Sequence, residues 1–122
     1  MSDLVSIYQR KIFTIEEARE ILPVIYRITK TFQSEVKTLS NRRRAFEKTN
    51  STLVNQLDSE ISALIEQWNG KVSRLGGKPK GLWLADFDNG KGYFCWKFPE
   101  TDILHHHAYN EGFSGRVPIK EP

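Results

Sequence analysis

The chain has 122 residues, of which 39% are hydrophobic and 27% charged. That balance excludes wholesale disorder, and no apolar run approaches the roughly 18 residues of a membrane span. The net charge of +3 permits an anionic partner but falls short of the strong, clustered excess of a dedicated nucleic-acid binder.

This length fits one domain, residues 1–122, with a thin core. Residues Met1 to Arg10 lack the apolar core of a signal peptide, so a cytoplasmic location is expected. The lone Cys95 agrees, because one thiol cannot form an internal disulfide.

Residues 1–11 show no period and read as a flexible lead-in. A helix is predicted over 14–48, where Thr14 and Glu17 form a capping box and Glu16 and Glu17 favour the positive end of the dipole. Ile15, Ala18, Leu22, Ile25, Phe32, Val36, Leu39 and Phe46 alternate at three and four residues, with Thr29 and Arg43 filling two slots. That heptad seam needs a partner surface. Pro23 predicts a kink near Arg19 to Pro23, or a short first helix broken from a second.

The cluster Thr49-Asn50-Ser51-Thr52 turns the chain, and a second helix follows over 52–75. Its apolar face carries Leu53, Leu57, Ile61, Leu64, Trp68, Val72 and Leu75, and Gly76-Gly77-Lys78-Pro79 stops it. A β meander is predicted over 81–108, with strands at Leu82–Phe87, Gly92–Phe98 and Ile103–Ala108. Asp88-Asn89-Gly90 makes its first turn. Residues 109–122 read as a C-terminal loop. The fold class is therefore α+β: a long kinked antiparallel helical hairpin followed by a small three-stranded antiparallel meander.

Three segments can carry chemistry. The triplet His105-His106-His107 is the most unusual. On a strand His105 and His107 share a face, so both can bind one divalent metal ion, with Asp86, Glu111 or Cys95 as further ligands. The plainer reading is histidines packed at a strand end. The loop from Glu111 to Arg116 holds Gly112 and Gly115 and can offer amides and a guanidinium to a phosphate or carboxylate. Against that stands a tail packed on the sheet, with Arg116 paired to a carboxylate such as Glu17. The run Arg42-Arg43-Arg44 can grip phosphates, but a solvated helix end explains it as well. Trp83, Tyr93, Phe94, Trp96 and Phe98 read as core, and Cys95 as an inert small hydrophobe.

Phe13-Thr14-Ile15-Glu16-Glu17-Ala18 with Leu22-Pro23, then Gly92-Tyr93-Phe94-Cys95-Trp96-Lys97, and His107 ahead of Gly112-Phe113-Ser114-Gly115-Arg116-Val117-Pro118, resemble the prokaryotic "domain of unknown function 2203" family. The likeness covers nearly the whole chain. The family pattern it implies is Trp-His-Glu, a short spacer, then Gly-Phe-x-Gly-Arg. His107 matches the His, but His106 stands where Trp is usual and Ala108 where Glu is usual. If the His-Glu pair is a catalytic or metal-binding unit, this chain lacks half of it. The resemblance implies no reaction.

The expected function is a non-enzymatic interaction or scaffold module, with the seam paired between two copies as a homodimer. The first alternative is a small-ligand or metal site, hydrolytic in its strongest form, at the end of the meander, built on His105, His107, Glu17 and Arg116. The second is nucleic-acid binding through Arg42 to Arg44, which the mild charge disfavours. No complete catalytic constellation is present, which leans against an enzyme.

Overall fold

A computed structural model describes residues 12–120. The predicted lead-in lies outside the described residues, as does the very end of the predicted C-terminal loop. Helix α1 spans Ile15–Phe46 and α2 spans Ser51–Arg74. The capping box at the start of α1 is formed, with Thr14 Oγ1 accepting from Glu17 N and Glu17 Oε1 from Thr14 N. Pro23 does not break α1, which runs through it as one helix with Pro23 on its exposed side. Asn50 caps α2 by accepting from Leu53 N at 3.0 Å. At the far end Gly76 takes a φ of +94°, a conformation that favours glycine, and the chain leaves the helix.

The sheet has five antiparallel strands in sequential order, where the turn signals predict three: β1 Lys78–Pro79, β2 Leu84–Asp88, β3 Gly92–Lys97, β4 His105–Ala108 and β5 Val117–Pro118. The two extra strands are edges of two residues each, and each contains a proline. So short a pair carries no alternation, and proline is confined to sheet edges, so neither announces itself in a sequence. The remainder of the C-terminal loop folds back as a single 3-10 turn at Phe113–Gly115.

Ala85 and Phe87 on β2 and Trp96 on β3 face the hairpin and are fully buried. They meet Ala18, Leu22, Ile25, Trp68 and Val72 in one core. Trp68 is its centre: its ring lies edge-on to Trp83 at 5.0 Å, and its Nε1 donates to Thr29 Oγ1 at 2.9 Å. Thr29 in turn donates to the Ile25 carbonyl at 2.7 Å. The polar residue in the heptad seam is thus the buried acceptor that a buried indole requires. Of the crowded aromatics, Trp96 lies in the core and Trp83, Phe94 and Phe98 pack partly buried against it, while Tyr93 lies on the opposite face.

Thr29→Val removes that acceptor and strands the indole N–H. It should cost about 1–3 kcal/mol in denaturant melts. In a Trp68→Phe background the same change should cost much less, and equal costs in the two backgrounds would refute the coupling.

Candidate functional site on the outer sheet face

The register puts one polar group after another on the face turned away from the hairpin. Asp86 on β2 stands opposite Cys95 on β3, and Cys95 opposite His105 on β4. His107 is two residues further along β4 and shares their face. Asp86, Cys95 and His107 are buried, at 4%, 1% and 3% exposure. Their donor atoms all lie within 4.8 Å of one another.

His107 is held at both ring nitrogens. Nδ1 lies 2.8 Å from the Ala108 carbonyl oxygen and Nε2 lies 3.0 Å from Asp86 Oδ2. A carbonyl only accepts, so Nδ1 carries a hydrogen. Nε2 then faces a carboxylate oxygen across a gap that must hold one proton or one cation. Burial pushes the Asp86 carboxyl above its ordinary range, and His107 opposes that rise. Burial, seconded by Asp86, pushes the Cys95 thiol up to about 12. A thiol pushed up in this way is protonated at neutral pH.

A cleft of about 230 Å³ opens over this floor. Asp86 and Cys95 reach it from below, Lys80, Tyr93 and Tyr109 line its sides, and Glu111, Gly112 and Phe113 close it from the C-terminal segment. Tyr109 donates to Asp88 Oδ1 at 2.6 Å and stands edge-on to Tyr93 at 5.1 Å. Lys78 and Lys80 hold their ammonium groups 5.0 and 5.8 Å from the centre of the Tyr93 ring. Among the described residues neither makes an ion pair.

The residues singled out by sequence fall into three places. His107 joins Asp86 and Cys95, two of the ligands foreseen for a histidine pair. His105 turns toward Glu100, its Nδ1 3.8 Å from Oε2 and without a hydrogen-bond partner. Arg116 packs over the Phe113 ring at 4.3 Å and donates to both Glu100 oxygens, at 3.0 and 2.8 Å, so its carboxylate is Glu100 and not Glu17. Glu17 serves the capping box at the start of α1. Gly112 lines the cleft, and Gly115 sits so close to Glu111 that a Cβ there would come within 2.9 Å of Oε2. Lys78, Lys80 and Tyr109 carried no signal in the sequence, because their role depends on a two-residue strand and on the path of the tail.

Burial pushes the Glu100 carboxyl up, but the hydrogen bonds donated by Arg116 and by Lys97 N outweigh it, and its pKa is lowered. A lowered carboxyl contributes stability that is present above its unfolded pKa and lost as pH falls through the folded value. Arg116→Met should therefore cost about 1.5–3 kcal/mol at neutral pH. The gap between variant and parent should close as the pH of the melts drops below the ordinary carboxylate range, and a gap that stays constant with pH would contradict the pairing.

No curated protein and no solved structure matches this chain. A profile of uncharacterized conserved proteins does match, over residues 11–119. That span takes in the hairpin, all five strands and the whole outer-face cluster, so the chain belongs to the DUF2203 family of uncharacterized conserved proteins.

Proposed function

We propose that the protein binds a small anionic ligand, of the phosphate or carboxylate class, in the cleft on the outer face of the sheet. The observation that supports this most is Lys80, which makes no ion pair among the described residues and lines a cleft floored by buried polar groups. Lys78 and Lys80 converge on one tyrosine ring, and Lys80 lines the cleft itself. Of the two carboxylates that line the cleft, Asp86 is turned to His107, and Glu111 accepts a hydrogen bond from Ala108 N at 3.0 Å. The cleft is smaller than the roughly 300–1,000 Å³ of drug-sized sites, which favours a ligand of few atoms over a nucleotide.

The other readings have less to rest on. A homodimer scaffold was expected from the unpartnered seam, yet Phe32, Val36, Leu57, Trp68 and Val72 are all buried within one chain. Leu39, Leu53, Ile61 and Leu64 stay half-buried and Phe46 exposed, so the apolar surface left for a second copy lies mainly toward the hairpin tip. Within the arginine run Arg43 is spent on Asp58 at 2.6 Å and lies 3.6 Å from Glu47, which leaves a weaker grip for nucleic-acid phosphates.

Calorimetric titration with inorganic phosphate, and separately with acetate, tests the reading. Saturable binding of at least one is expected, weakened about tenfold by Lys80→Met and less by Lys78→Met. No saturable binding, or binding indifferent to Lys80, would overturn it.

A further inference from the structure

Two residues that floor the cleft, Asp86 and Cys95, meet His107 in a set of three ligands. We propose that Asp86, Cys95 and His107 together hold one transition-metal ion of the zinc class, with a fourth coordination position open to the cleft. The inference rests on reading the outer face as the ligand site, and it can fail separately from that reading.

Convergence is the first argument. Three strands each supply one donor to the same face, and the carboxylate oxygen, the thiol sulfur and the imidazole nitrogen lie within 4.8 Å of one another. Donors around a tetrahedral ion at about 2.0–2.3 Å stand roughly 3.3–3.8 Å apart, so side-chain shifts of about 1 Å complete the set. His107 Nε2 and Asp86 Oδ2 are already 3.0 Å apart.

The second argument is hydrogen-bond accounting. With Nδ1 committed to the Ala108 carbonyl, the Nε2 lone pair points at a carboxylate oxygen. A cation fills that gap as well as a proton does. A ring that donates one N–H to a backbone carbonyl and offers the other nitrogen is the arrangement of a metal-ligating histidine. The Tyr93 ring, 5.5 Å from the imidazole, packs it in place.

The donor types choose the metal. A thiolate with an imidazole suits zinc and its neighbours and is wrong for magnesium or calcium, which take oxygen. Binding would release the thiol proton and the proton shared between His107 and Asp86, leaving thiolate, neutral imidazole and carboxylate around the ion. Asp86 and Cys95 both face the cleft, so the fourth position opens where the anion is placed. Three protein ligands and one open position is the pattern of reactive zinc sites, not of closed structural ones. His105 stands outside the set and faces Glu100.

The test uses untagged full-length protein, stripped with a chelator and titrated with cobalt(II). A thiolate-to-cobalt charge-transfer band with intense tetrahedral visible bands is expected, and added zinc should bleach both. Cys95→Ser should abolish the charge-transfer band. His107→Gln and Asp86→Asn should each weaken zinc by more than the roughly hundredfold that loss of an outer hydrogen-bond partner costs. Circular dichroism shows whether each variant folds, and if none does, the wild-type spectrum decides alone. No charge-transfer band in folded wild-type protein means a proton-sharing structural cluster only and overturns the inference. Lysine-dependent phosphate binding without that band would leave the anion reading standing and remove the metal. The band without any anion binding would do the reverse.

Discussion

The pleat of the central sheet is the constraint on which everything else depends. Successive residues of a strand must face opposite ways. Ala85, Phe87 and Trp96 turn to the hairpin, so Asp86, Cys95, His105 and His107 turn from it. A one-residue slip would press Asp86 and His107 against Trp68 and Val72 and bring Phe87 and Trp96 to the outside. The cost of that exchange fixes the register, and the register assembles the polar cluster. The core thus specifies the site without any contact of its own to a ligand.

This also explains what the sequence made legible. The hairpin, its capping box and the Asp88-Asn89-Gly90 turn rest on local signals, and each stands where those signals put it. His107 was visible because three consecutive histidines are rare enough to notice. Its partners were not fixed, because Asp86, Cys95 and Glu111 are equally plausible until strands are paired. The pairing of Arg116 with Glu100 bridges the β3–β4 connection and the tail, a meeting that no spacing encodes. Edge strands of two residues, β1 and β5, fall below any pattern, and with β1 went Lys78 on it and Lys80 just after it.

The acid that the resemblance implies at position 108 takes on a different meaning in three dimensions. Ala108 follows His107 directly, so on a strand its side chain points to the opposite face. An acid at that position would not stand beside the His107 ring. The carboxylate that does so, Asp86, comes from two strands away. Ala108, where the resemblance implies a Glu, therefore leaves the His107–Asp86 contact intact.

The connection between β3 and β4 joins core and site mechanically. Trp96, buried among the helices, donates its indole N–H to the Glu100 carbonyl at 2.6 Å. The Glu100 side chain reaches to the other face and holds Arg116, which pins the covering segment. Two residues on, Asp102 accepts from Arg19 of α1 at 2.9 Å, and Arg19 also donates to the Ile103 carbonyl at 3.1 Å. One short turn is therefore anchored to the hairpin, to the inner face and to the segment over the cleft. Paired arginines hold the frame here because their forked donors fix a geometry. Lys78 and Lys80 make no ion pair among the described residues, Lys78 donating to the Tyr93 hydroxyl at 3.2 Å, and that division of labour suits the proposed anion.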